Sequence, residues 1–245
     1  FKLLCPSIDR RPAPPLRSAS GGWREPARRS PSMTASETFR FLNFEASLNE
    51  VGWDGSECEK LWRYNQHYFD DLNAKDAARR LKWHQRLIEK WVTEVPAGLG
   101  NGWEPYPTSL RIVNWIKWSL GGNSLAPAAL HSLAVQARWL SGRMEFHLQG
   151  NHLFVNAKAL LFAGLFFEGE EANRWRQKGE KLLIELLDEQ FLADGAHFEL
   201  SPMYHALALE DLLDLWNITT LYGEEDLSAL REKVMERLPG ARHWL

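Results

Sequence analysis

Apolar residues recur at three- and four-residue intervals through most of the chain after Gly55, the signature of helices with one face turned inward. Before that point, Phe39–Asn43 (FRFLN) alternates apolar and polar residues, which predicts a short strand. Amphipathic helical segments follow at Leu61–Leu72 and Ala77–Val95, separated at Asn73. A turn-rich stretch, Pro96–Pro107, then holds Gly98, Gly100, Gly102 and Pro105. Helical patterns resume at Ser109–Leu120, Pro127–Ser141, His152–Phe167, Asn173–Phe191, Pro202–Tyr222 and Leu227–Leu238. No comparable succession of β-branched strands appears, so the expected class is all-α with at most a short strand.

The helical segments are of two kinds. His152–Phe167 (HLFVNAKALLFAGLFF) is apolar nearly all round, as a helix enclosed by others must be. Asn173–Phe191 carries Arg174, Lys178, Lys181 and Glu185 on one face and Trp175, Leu182, Leu183 and Leu186 on the other. An enclosed helix followed by an amphipathic one suggests inner and outer layers joined as antiparallel hairpins. Such hairpins close into a ring or α/α barrel, or stack as a solenoid; periodicity does not choose between these.

Composition narrows the function classes. The chain has 245 residues, with 29 Lys+Arg against 32 Asp+Glu and a formal charge of -3, so no global basic field exists to grip a nucleic-acid backbone. No apolar run reaches the roughly 18 residues of a spanning helix. Cys5 and Cys58 stand far apart without a CxxC, indicating neither a disulfide framework nor a thiolate zinc site. Residues 1–38 alternate Arg10, Arg11, Arg17, Arg24, Arg28 and Arg29 with Pro6, Pro12, Pro14, Pro15, Pro26 and Pro31, which reads as an extended arm ahead of a helical domain over 39–245. That arm is either a solvated leader or a basic strand that attracts a polyanion, and it contains no recognisable signal peptide.

Three loops concentrate polar chemistry. In Asn101–Arg111 (NGWEPYPTSLR), Arg111 is a bidentate clamp for a carboxylate or an arginine pairing with an acid inside the helical layer. Trp103 and Tyr106 are sugar-stacking platforms or plugs for one end of the core. In His147–His152 (HLQGNH), Asn151 is an N-cap or an uncharged donor to a substrate carboxylate, and His152 is a buried, satisfied imidazole or a catalytic neighbour. In Asp194–His205 (DGAHFELSPMYH), Ser201-Pro202 signals a helix start, with Tyr204 and His205 in its opening turn near the positive end of the dipole. There, either Tyr204 packs and His205 hydrogen-bonds a carbonyl, or both do chemistry. The motifs of zinc peptidases, P-loop NTPases and α/β-hydrolases are absent, and His147 and His152 lack further ligands at metal-site spacing. Asn217-Ile-Thr219 matches a glycosylation sequon within a predicted helix.

These loops, with RFLN at 40–43, LWRYNQHYFDDL at 61–72, YPTSLRIVNWIKW at 106–118, GNHLFVNAKALLFAG at 150–164 and DGAHFELSPMYH at 194–205, resemble the heparinase II/III family of polysaccharide lyases. The resemblance implies an incomplete (α/α) toroid of antiparallel helical hairpins, followed in family members by a C-terminal antiparallel β-sandwich domain that this chain lacks. It implies β-elimination on a uronic-acid-containing polysaccharide such as heparin, heparan sulfate or alginate. Asn151 would neutralise the sugar carboxylate and Tyr204 would act as base, acid or both, with His152 and His205 assisting and Arg111 and Glu199 binding substrate. No cofactor is implied for the toroid, although the family's sandwich domain supplies a further histidine and in some members supports a metal. Expected partners are the acidic polysaccharide and the sandwich domain, with neither nucleic acid nor membrane insertion. Family lyases are often exported, while some accompany surface-polysaccharide synthesis. Two rivals remain: an α/α-toroid glycoside hydrolase using Glu104, Asp194 or Glu199, and a non-catalytic helical module that binds glycan or protein.

Overall fold

A computed structural model of the chain describes residues 7–148, 150–223 and 225–244. The chain divides into two compact units, Arg28–Arg143 with the first residues up to Ala13, and Met144–Leu245 with Pro14–Ala27. Cys5 lies outside the described residues, and Cys58 is buried in the first unit.

The first unit opens with an antiparallel meander, β1 (Met33–Ala35), β2 (Thr38–Phe41) and β3 (Phe44–Ser47). The expected single strand is thus three. Its last residues, Leu42 and Asn43, instead form the two-residue turn between Phe41 and Phe44, both at positive φ (53° and 63°). A leucine gives no turn signal, which hid the hairpin. Trp62 anchors the hairpin: its indole N–H donates to the Phe44 carbonyl at 3.1 Å, and its ring meets Phe41 and Phe44 edge-on.

A short helix, α1 (Leu48–Val51), follows, then α2 (Lys60–Tyr68), α3 (Leu81–Glu94), α4 (Pro105–Leu120) and α5 (Pro127–Ser141). The helix expected through Leu72 breaks at Phe69, which takes φ 63°, and continues as a 3-10 turn over Asp70–Asn73. The reason is Asp71. Its buried carboxylate accepts from the Ser32 and Met33 backbone N–H groups, from Arg80 and from His84, and these bonds fix a sharp corner. Helix α4 starts at Pro105, four residues before the sequence pattern suggested, with proline in its first turn.

The second unit holds α6 (Gly150–Phe166), α7 (Glu170–Gln190), α8 (Pro202–Leu221) and α9 (Ser228–His243). Every residue from Leu153 to Phe166 is buried, as the uninterrupted apolar pattern required. Helices α6 and α7 form an antiparallel hairpin whose backbones touch. A methyl group on Gly164 would fall 2.3 Å from the Arg176 nitrogen, and one on Gly179 would fall 2.6 Å from the Ala157 carbonyl oxygen.

Residues of the arm are extended and tied down within their own units. Arg17 donates to the Leu165 carbonyl and pairs with Glu225, Gly21 N–H bonds the Leu221 carbonyl, and the Arg24 backbone exchanges two hydrogen bonds with Asn217. That last contact occupies the amide of the sequon. No helix of the described residues is long and apolar enough to cross a membrane.

Candidate functional site

In the second unit, a buried ion pair sets the frame. Lys158 Nζ, on α6, lies 2.7 Å from Asp211 Oδ1 and 2.6 Å from Asp214 Oδ2, both on α8. Burial alone would push the lysine's pKa down; the two carboxylates outweigh it and keep the ammonium above its ordinary range. At the other end of the same helices, Gly150 opens α6 at φ 49°, and a methyl group there would lie 3.3 Å from Glu199 Oε1. The lysine joins α6 to α8 about two turns in from their starts, and Gly150 lies against the turn that leads into α8. Asn151 stands seven residues before Lys158, and Tyr204 stands seven before Asp211. Seven residues are close to two full turns, about 10 Å along the axis, so each residue returns to the face its partner occupies. Asn151 and Tyr204 thus lie in the first turns of α6 and α8, on the helix faces that carry Lys158 and Asp211 two turns later, and both are half-buried.

The turn carrying Glu199 is held in place by hydrogen bonds. Gln190, the last residue of α7, donates from its amide to the Gly150 carbonyl at 2.9 Å and accepts from His197 Nε2 at 3.4 Å. Phe198 N–H bonds the Gln190 carbonyl, and the Asp194 carboxylate accepts from Ala196 N–H. Leu200, 74% exposed, sits at φ 51°, a strained value for a leucine, immediately before the start of α8. Burial pushes the His197 pKa down, against the pull of the nearby Glu199 carboxylate. A cavity of about 200 Å³ opens beside the α8 start, lined by His197, Leu200, Ser201, His205 and Trp244.

Asn151 is not an N-cap: it lies inside the first turn of α6. Ser201 occupies the N-cap position of α8 in extended conformation, but its hydroxyl makes no capping bond. The expectation of a hydroxyl cap is therefore corrected. His205 is a correction of another kind. His197 N–H donates to its Nδ1 at 3.1 Å, leaving the proton on Nε2, which donates to the Ala241 carbonyl at 2.8 Å. Both ring nitrogens are engaged by backbone in a buried setting, so His205 pins the α8 start to α9 instead of meeting substrate. His152, expected either buried or catalytic, is 40% exposed at its side chain and donates from Nδ1 to Glu145 at 3.2 Å.

In the first unit, the groups expected to bind substrate are largely core. Arg111 is fully buried: it donates to Gln136 Oε1, the His67 carbonyl and Thr108 Oγ1, and its guanidinium lies 3.9 Å from the Trp91 ring centroid. Desolvation holds its pKa well below the usual arginine range. It neither clamps a carboxylate nor pairs with an acid, because aromatic and neutral acceptors surround it. Trp103, 4% exposed, stacks on Trp91 and meets Trp139 edge-on, which makes it a plug of the core and not a platform. Tyr106 is half-buried with its ring edge-on to Tyr68. Glu104 is tied up by Tyr64 and Lys60. The feature the sequence reading missed is Glu145, whose 7% exposure carried no local signal.

Comparison with known proteins completes the picture. The chain matches the family model "Heparinase II/III N-terminus" over residues 103–231, more than half its length. It is 38% identical over 178 residues to a heparin-sulfate lyase of Pedobacter heparinus, a match covering 67% of this chain and 26% of that protein. A heparin-sulfate lyase of Bacteroides stercoris is 39% identical over 79 residues, covering 32% of this chain and 12% of the relative. The chain thus spans about a quarter of the length of the first of these relatives. Among solved structures, the heparan sulfate lyase of Pedobacter heparinus aligns with a TM-score of 0.61 at 26% identity, over 84% of this chain and 36% of that one. The likeness bears out the expected all-α, (α/α)-toroid fold class. With its helical hairpins and its matched stretch from Trp103 to Arg231, this chain belongs to the heparinase II/III family, in the N-terminal domain.

Proposed function

We propose that this chain is the helical part of a polysaccharide lyase that cleaves a heparin- or heparan-sulfate-like glycan by β-elimination. The observation that supports the reading is the buried Lys158–Asp211–Asp214 cluster that ties α6 to α8, the two helices whose first turns carry Asn151 and Tyr204. The names of the relatives support the substrate class.

The chemistry requires removal of the uronate C5 proton, which is weakly acidic while the adjacent carboxylate is charged. A neutral amide donor at the carboxylate spreads the charge that builds up as C5 loses its proton, and each pK unit of acidification is worth about 1.4 kcal/mol. Asn151 supplies that donor. The Tyr204 oxygen takes the C5 proton; the C–H electron pair forms the C4=C5 double bond, the C4–O4 bond breaks with its pair going to O4, and Tyr204 passes the same proton to O4 as it leaves, ending as it began. Glu199, beside Gly150, borders the same helix starts as a hydrogen-bond acceptor for glycan hydroxyls. Water takes no part, so the product carries an unsaturated ring.

The test uses the protein with its entire natural chain, incubated with heparan sulfate, heparin and, in parallel, alginate. Unsaturated ends absorbing in the ultraviolet are expected from the first two. Tyr204→Phe should lower turnover by about a hundredfold or more while the melting temperature holds. Turnover unchanged in that variant, saturated reducing ends (the hydrolase outcome) or no product from any polymer would each reject the proposal.

A further inference from the structure

One buried amide joins the two segments that lead into the candidate site residues. Gln190, the last residue of α7, is 1% exposed. Its Nε2 donates to the Gly150 carbonyl at 2.9 Å, and its Oε1 accepts from His197 Nε2 at 3.4 Å. A carbonyl can only accept, so the amide has one orientation, and His197 carries its proton on Nε2. The Gln190 main-chain carbonyl accepts in addition from Phe198 N–H at 2.9 Å.

Each end of this amide acts on a backbone that carries a candidate residue. The Gly150 carbonyl lies in the peptide plane that holds the Asn151 nitrogen. His197 and Phe198 lead directly into Glu199, and a methyl group on Gly150 would lie 3.3 Å from Glu199 Oε1 and 3.6 Å from the Phe198 ring. From the turn the bonds run on: His197 N–H donates to His205 Nδ1 in the first turn of α8, and His205 Nε2 donates to the Ala241 carbonyl of α9. Helix α7 is a firm post for the amide, because its main chain at Arg176 and Gly179 is pressed on α6. Packing alone does not call for a glutamine here. A methionine fills similar space without the cost of desolvating an amide, which is recovered only when both ends are bonded.

We propose that Gln190 is a positioning residue of the candidate site, tying the peptide that enters Asn151 to the turn that carries Glu199 so that the two segments hold a sugar ring between fixed limits. It acts through the backbone of each segment and not on the glycan. The catalytic consequence rests on the lyase reading above; the tie itself does not.

The experiment reads the two separately. In the whole protein without glycan, hydrogen exchange followed by mass spectrometry should show faster exchange over 194–201 in Gln190→Met, which cuts both ends of the tie. On heparan sulfate at about pH 8, Gln190→Met and Gln190→Glu should each lower kcat/KM by about tenfold or more, since small misplacements of reacting groups are costly. Gln190→Glu keeps the acceptor for His197 but sets a carboxylate oxygen against the Gly150 carbonyl. Protonation restores a donor there, so its activity relative to wild type should recover in part toward about pH 5.5, whereas that of Gln190→Met should not. A merely structural role would lower the melting temperature of both variants without this pH-dependent difference. Unaltered exchange in Gln190→Met, unaltered kcat/KM, or the same pH profile in both variants overturns the proposal. Faster exchange in a protein whose wild type gives no lyase products leaves the tie intact and rejects only the lyase reading. Should the Gln190 variants fail to fold, His197→Phe cuts the other end of the tie, with a ring that fits between Phe191 and Phe198. It is expected to speed exchange over 194–201 and to lower kcat/KM; no change in either would overturn the proposal.

Discussion

Arg111 shows how far a residue's type can mislead about its role. A guanidinium in a polar loop reads as a carboxylate clamp, yet here it stacks on Trp91 and spends its donors on Gln136, Thr108 and the His67 carbonyl. A planar fork is needed for that combination, and a lysine ammonium cannot reproduce it. Arg111→Lys is therefore expected to destabilise the fold by about 2–3 kcal/mol in urea denaturation, through lost stacking and unsatisfied acceptors, while leaving KM for heparan sulfate within about twofold. A raised KM with undiminished stability would restore a substrate role. Asn151 and Tyr204 were legible as candidates because each falls beside a helix-start signal. Glu145 was not, because its partners Asn156 and His152 lie eleven and seven residues away on another element and nothing local announces the meeting. Burial of His205 and Arg111 was equally invisible, since the loops that hold them read as polar.

At the level of elements, the long apolar pattern of α6 and the one-sided charge of α7 foretold a buried helix and its amphipathic cover, and the structure has both. Helix boundaries were less legible where tertiary bonds override local preference, as at Phe69, where the Asp71 network turns the chain. The three-stranded meander was compressed into one strand because segments of three or four residues hold too few alternations to register. What no pattern revealed is the backbone contact between α6 and α7. Gly164 and Gly179 are required there by main-chain atoms, not by flexible side chains that could step aside. Gly164→Ala should lower stability by about 2–4 kcal/mol even though alanine is the better helix former, since the two helices must move apart. A neutral or stabilising result in denaturant titration would show that the seam opens freely.

Across the whole chain, acid should weaken the fold in two stages. His67 is buried, donates from Nε2 to the Trp53 carbonyl and accepts at Nδ1 from the Trp91 indole; burial, helped by Arg111, pushes its pKa below the ordinary value despite Asp54. His197 is pushed down as well, also chiefly by burial. The unfolded chain then binds protons that the folded chain refuses, so stability is complete above about pH 7 and declines below about 6.5, with a limiting slope of about 1.4 kcal/mol per pH unit for each histidine. Asp71 acts lower. Burial raises its pKa, but His84, the Met33 N–H, Arg80 and the Ser32 N–H outweigh it, so its contribution is present above about pH 4 and lost on further acidification. Melting temperatures falling steadily from pH 7 to 5, less steeply in His67→Gln, are the expected outcome; a flat profile would contradict it. Trp103, read from the sequence as a sugar platform or a plug of the core, joins Trp91, Trp115 and Trp139 in a run of ring contacts inside the first unit. The glycine seam has a last consequence for recognition. With main chain pressed on main chain at two heights, α6 has no slack to rock, and its opening turn behaves as an anvil. If the proposed reading holds, differently sulfated sugars are to be accommodated by the 194–201 turn, where Leu200 holds a strained φ of 51°.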